Sequence, residues 1–194
     1  ITYLSENNIQ VTQRIVDLQS AMSIFYSALT SENYEIPEGH YEEEQMKQTV
    51  VPNRNAIFAS ILYGYALSIA TKHDKSVKIG LGVHSGDHEI YPDCRPEFYE
   101  ALEAAFQVGN WESEKVSFYL PYLNGDKETI LIDSEKSLEK LNLDFDTIFA
   151  NTNTSYNPDE EGRSSGKSGA DIERILAFNA IGRKDPVPYI QDWS

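Results

Sequence analysis

The alternation of apolar and polar positions along this chain predicts strands and helices in turn. Ile9, Val11 and Ile15 fall on odd positions with polar residues between, the pattern of a half-buried strand. Asp17 is placed to cap a following helix, in which Leu18, Ala21, Met22, Phe25, Tyr26 and Leu29 share one face. From 31 to 48 the chain is polar and acidic, with Pro37, Gly39 and three consecutive glutamates, and reads as a long surface loop, either a lid or a merely solvated segment. A polar turn at 49–55 then feeds an apolar helix from Ala56 to about Ala70. Val77 to Val83 reads as a strand that ends in the glycine-bearing turn His84-Ser85-Gly86-Asp87-His88. A helix is expected over Arg95–Val108, with Phe98, Leu102, Ala105 and Phe106 on one side. Val116–Leu120 reads as a strand and Lys127–Leu141 as a helix; a last helix, Asp171–Ile181, is stopped by Gly182 and later Pro186. Such alternation implies an α/β fold with a mostly parallel sheet, in which ligands bind beyond the carboxyl ends of the strands. The loop 84–95 is therefore the first place to look for a site.

Composition narrows the partners. Acidic residues outnumber basic ones 31 to 16 and the net charge is −15, a field that repels nucleic acid. The single cysteine, Cys94, excludes an intramolecular disulfide, and no cationic and apolar leader opens the chain, so a cytoplasmic protein is expected. No stretch reaches the roughly 18–20 apolar residues of a membrane span. The nearest, 56–70, carries Tyr63 and Tyr65 and reads as a buried helix.

The loop from His84 to Arg95 gathers two histidines, two aspartates, a tyrosine, a cysteine and an arginine. A polar loop with an Asx turn at Pro92-Asp93 accounts for it. Alternatively, aspartate and tyrosine suit the donor groups of a guanine-like ring and arginine or histidine suits a carboxylate; a metal on His84, Asp87 and His88 is conceivable at this spacing. Gly162-Arg-Ser-Ser-Gly166-Lys167-Ser168 imitates a phosphate-binding loop, but three residues separate its glycines where the motif needs four, and the polar segment Asn151–Glu161 precedes it instead of a strand.

Three ordered segments, Thr-Val-Val-Pro-Asn-Arg-Asn (49–55), Gly-Val-His-Ser-Gly-Asp-His (82–88) and Tyr-Pro-Asp-Cys-Arg-Pro-Glu-Phe (91–98), resemble the central motifs of the 7-cyano-7-deazaguanine synthases. Ser27–Thr30, Ile36–Gly39, Asp126-Lys127 and Lys184-Asp185-Pro186 resemble flanking segments, so the likeness spans roughly 9–190. The resemblance implies one domain over 1–194, with a Rossmann-like, mostly parallel sheet flanked by helices on both faces, the adenine nucleotide alpha-hydrolase or PP-loop type. It implies an ATP-dependent ligase that adenylates 7-carboxy-7-deazaguanine, lets ammonia displace AMP, and dehydrates the resulting amide with a second ATP. Mg2+ and a homodimer come with that implication. By the carry-over, His84, Asp87, Tyr91, Asp93 and Arg95 bind the deazapurine, Arg54, Asn55 and Lys127 bind ATP, and Lys127 and Asp93 are the catalytic residues. Read without it, Arg54 is a surface helix-start residue and Lys127 a solvated side chain.

The chain departs from the family's pattern twice. The nucleotide loop Ser-Gly-Gly-x-Asp-Ser is missing, Ile1–Ser5 being at most its strand and first serine. Within the C-terminal subregion 150–194, Ser155, Ser165, Ser168 and Asp171 stand where the family has four zinc-binding cysteines, so no zinc is expected. These departures keep a second reading open: a repurposed, non-catalytic relative that binds a deazapurine or nucleotide within a multi-protein assembly such as an antiviral system.

Overall fold

The computed structural model describes residues 1–30, 37–39, 44–87 and 90–191. The N-terminal part differs from the sequence expectation. Thr2–Glu6 forms a short helix, α1, where a strand was anticipated, and 9–18 has no strand. Val11, Ile15 and Val16 are exposed, Ile15 by 85%. A period-two pattern becomes a strand only beside another strand that takes its backbone bonds, and none lies beside this segment among the described residues. The helix expected after Asp17 shrinks to α2, Gln19–Met22. Asp17 does accept the backbone N–H of Gln19, at 2.9 Å, but Tyr26 is 88% exposed. Without a partner surface so short a helix cannot propagate. Much of the acidic loop, 31–36 and 40–43, lies outside the described residues, while Glu44–Thr49 forms a 3-10 turn.

From residue 49 onward the elements follow the sequence closely. Helix α3, Arg54–His73, packs Tyr63, Ala66 and Ala70 against the strand pair β1, Val77–Gly80, and β2, Val116–Tyr119. The strands are parallel, with Val77 opposite Val116 and Ile79 opposite Phe118. Those four side chains share one face and join Phe106 of α4, Pro96–Gly109, in the core. The opposite face is open to solvent: Lys78 lies over the Tyr119 ring at 5.7 Å and Tyr119 is 53% exposed. The helix layer is thus seen on one face of an open parallel sheet.

A second apolar cluster joins α5, Lys127–Lys140, α6, Phe145–Ala150, and α7, Gly169–Ala180, through Leu131, Phe145, Ala177 and Phe178. Helix α6 was not anticipated; it is six residues long, and its signal is the cap in which Asp144 Oδ1 accepts the Thr147 N–H at 2.7 Å. Gly182, with φ +70°, closes α7 in the left-handed conformation that glycine adopts without strain. Among the described residues no helix is long and apolar enough to cross a membrane.

Candidate functional site

The loops that leave the carboxyl ends of β1 and β2 meet. Both the backbone N–H and the hydroxyl of Ser85 donate to the Gly125 carbonyl, at 2.8 and 2.5 Å, which sets His84 beside the start of α5. Asp126 caps that helix by accepting the Thr129 N–H at 2.8 Å and its hydroxyl at 2.7 Å. These bonds hold the Asp126 carboxyl below the usual aspartate range, and nearby His84 adds to the effect. Lys127, the first residue of α5, donates from Nζ to Oε2 of Glu173 on α7. Two cavities adjoin these groups. One, of about 280 Å3, is lined by His84, Gly86, Asp126, Lys127, Glu128 and Glu173; the other, of about 210 Å3, takes in His84, Lys127, Thr154, Arg174 and Phe178. His84, only 5% exposed, and Lys127 belong to both. Gly86 sits in a crowded place: a Cβ there would lie 3.0 Å from His84 Nδ1 and 3.2 Å from Glu173 Oε1. A larger cavity of about 580 Å3 sits at the C-terminal end of α7, away from these loops in sequence, between Phe178, Arg183 and Tyr189.

Four other expected residues form a separate cluster. The Tyr91 hydroxyl shares hydrogen bonds with Thr49 Oγ1 at 2.6 Å and with Tyr156 at 3.3 Å, and the Arg54 guanidinium lies 5.6 Å from the Tyr91 ring centre. Burial, with Tyr156 alongside, raises the Tyr91 phenol far above its usual range, so it stays protonated. Asp93 Oδ2 accepts the backbone N–H of Asn55 at 3.2 Å, and Asn55 Nδ2 reaches the Asp93 carbonyl at 3.3 Å. Asp93 therefore caps α3 from another segment, a task that Asn53, at φ +62°, leaves undone. Its second oxygen, Oδ1, is buried with no hydrogen-bond partner among the described residues.

The expected constellation accordingly divides. His84 and Lys127 line cavities; Arg54, Asn55, Tyr91 and Asp93 pack together against α3; Arg95 is exposed at the start of α4. The Asp87 side chain and His88 lie outside the described residues, and with them the metal option of the 84–88 turn. Among the described residues no group of three His, Cys, Asp or Glu side chains is arranged to hold a metal. Sequence reasoning missed Glu173, Arg174, Thr49 and Tyr156. The only sequence signal for the first two was their place on the final helix.

The four C-terminal positions do converge. The hydroxyls of Ser155, Ser165 and Ser168 donate to Oδ2 of Asp171 at 3.0, 2.8 and 2.9 Å, joined by the Ser168 backbone N–H at 3.3 Å. Ser168 and Asp171 also form a reciprocal cap on the first turn of α7. Further along the helix, Arg174 makes a bidentate pair with Asp185 at 2.6 and 2.9 Å, both side chains 6% exposed, and donates to Thr152 at 2.8 Å.

Comparison with known proteins decides the family. The family model described as "Queuosine biosynthesis protein QueC" matches residues 3–182. The chain belongs to the QueC family. The 7-cyano-7-deazaguanine synthase of Marinomonas sp. (strain MWYL1) is 41% identical over 92% of this chain and 74% of its own length. That of Psychromonas ingrahamii is 41% identical over 92% and 74%, and that of Methanoregula boonei 38% over 93% and 76%. No solved structure matches significantly. QueC membership carries the PP-loop fold class expected from the motifs, in keeping with the open parallel sheet. It also sharpens the C-terminal cluster. At the positions the resemblance assigns to zinc cysteines, this QueC chain has three neutral hydroxyls aimed at one carboxylate oxygen, with no thiolate or imidazole among them. Such a donor set does not fit zinc.

Proposed function

We propose that this chain is an ATP-dependent ligase that converts 7-carboxy-7-deazaguanine and ammonia into 7-cyano-7-deazaguanine. Its membership of the QueC family and the synthase names of its relatives support the reading. The observation that carries it within the molecule is the meeting of His84 and Lys127 at cavities beyond the carboxyl ends of two parallel strands, where an α/β sheet collects its ligands.

In this reading a carboxylate oxygen of the substrate attacks the α-phosphorus of ATP and pyrophosphate leaves. Ammonia then displaces AMP to form an amide, and a second ATP activates the amide oxygen so that dehydration leaves the nitrile. The protein's share is positioning and charge neutralisation. Lys127 meets phosphate charge at the start of α5, with Arg54 and Asn55 as further nucleotide contacts. His84 stands where the deazapurine carboxylate can reach it, and Asp87, Tyr91, Asp93 and Arg95 bind the ring system. Asp93 Oδ1, with no hydrogen-bond partner among the described residues, offers an acceptor there. Mg2+ would enter with ATP and offset phosphate charge, and the Asp126 and Glu128 carboxylates on the cavity wall are oxygen donors of the kind it takes. We place the protein in the cytoplasm, as a homodimer that works without zinc.

The test is direct. Purified chain is mixed with ATP, Mg2+, ammonium and 7-carboxy-7-deazaguanine, and AMP release is followed together with the product mass. The expected result is AMP formation that requires all the substrates and is lost in Lys127→Met. Absence of AMP under saturating substrates would overturn the reading.

A further inference from the structure

The proposed task of Lys127 is to meet phosphate, yet its ammonium is already bonded to a carboxylate of the same chain, Glu173. The two side chains are 20% and 18% exposed, so little water screens the pair. Glu173 is held from both sides. Its helix α7 packs on α5, and the bare backbone of Gly86 closes over Oε1, a Cβ there falling 3.2 Å away. Asp126 and Glu128 line the same cavity, so three acidic residues and one lysine share its wall. A small anion that enters this cavity gains Lys127 only by competing with Glu173, and it meets net repulsion meanwhile.

We propose that Glu173 is a specificity-determining counter-ion. It occupies Lys127 in the ligand-free chain, makes the cavity a poor host for simple phosphates, and yields the lysine only to a polyphosphate whose nucleoside is also recognised. The inference rests on the reading of Lys127 as a phosphate contact and goes beyond it by naming what restrains that contact.

Inorganic tripolyphosphate is the probe, titrated calorimetrically into the wild-type chain and into Glu173→Gln, Lys127→Met and the double variant. Removal of one neighbouring charge from a largely dry site predicts that Glu173→Gln binds the probe on the order of tenfold tighter. ATP should tighten in parallel. The gain must vanish when Lys127 is absent, which a merely structural role for Glu173 would not produce. A gain that persists without Lys127, or no gain at all, overturns the proposal. Glu173→Ser repeats the cycle should the glutamine variant fail to fold. Failure of the catalytic reading is separable: wild type that releases no AMP while the binding cycle holds sinks the enzyme and leaves the counter-ion, and turnover with a flat cycle does the reverse.

Discussion

Two faces of α7 treat their charges in opposite ways. Asp171, Arg174 and Phe178 point inward, where Asp171 collects three hydroxyls and Arg174 grips Asp185 while lying 5.3 Å from the Phe178 ring centre. Glu173 turns toward α5 and bonds directly to Lys127 on the wall of the 280 Å3 cavity. The inward charges hold segments of chain together, Asp171 through Oδ2 and Arg174 through its paired bonds to Asp185. The cavity charges leave a bond that a ligand can replace. A charge that stabilises the fold is thus distinguished from one available for function less by burial than by whether its partners also belong to something else.

The largest effect should come from the inward face. Arg174→Ala strips Asp185 of both of its guanidinium bonds, leaving a carboxylate 6% exposed whose remaining partners among the described residues are the Tyr189 hydroxyl and the Val187 N–H. A loss of about 3–5 kcal/mol is expected on chemical denaturation. A loss below about 1 kcal/mol would mean that the pair behaves like a surface bridge and the comparison is misdrawn. Next is Asp171→Ala, which takes the shared acceptor from three serine hydroxyls and removes the carboxylate half of the reciprocal cap on α7. About 2–3 kcal/mol should be lost, since each buried group left unbonded costs on the order of 1 kcal/mol or more. Dialysis against a chelator should leave the melting temperature unchanged, because that cluster is tied by hydrogen bonds alone. A fall in melting temperature restored by zinc would show the serine and aspartate oxygens acting as metal ligands after all.

The difference between the faces bears on what the sequence discloses. Helices α3, α4, α5 and α7 were legible because each is long and periodic, and β1 and β2 because short apolar runs end in turn residues. The strand expected around Ile9, Val11 and Ile15 failed because periodicity describes a face and not the neighbour that must cover it. His84 and Lys127 were legible as candidates from their motifs. Glu173 was not, since its bond to Lys127 spans 46 positions and depends on how α7 settles on α5. Similarly, composition makes 162–168 a serine and glycine loop; only the fold aims those hydroxyls at Asp171.

On the cavity side the effects should be smaller and should depend on pH. Asp126→Ala removes the cap of α5 at a cost of about 1 kcal/mol near neutrality. The Asp126 carboxyl is lowered in the folded chain, chiefly by its bonds from Thr129. Its contribution is therefore complete above the ordinary aspartate range and is lost as the pH falls through the lowered folded value. Stability curves of wild type and Asp126→Ala should converge in acid. Curves that stay parallel down to the acid transition would remove the capping charge from the account.

The subtlest test is Gly86→Ala, because it touches the cavity without touching a charge. The added methyl would lie 3.0 and 3.1 Å from the His84 ring and 3.2 Å from Glu173 Oε1. The imidazole is buried and fixed, whereas the carboxylate is the far end of a flexible side chain, so the carboxylate moves first. Stability should drop by only about 1 kcal/mol, the low end of the cost of an added methyl in a packed site. The displaced Glu173 should loosen its hold on Lys127, and tripolyphosphate affinity should rise in the same direction as in Glu173→Gln but by less. A Gly86→Ala protein with normal stability and weaker anion binding would mean that the methyl has blocked the cavity and left the ion pair intact, and the crowding at this turn would then guard the entrance instead of the counter-ion.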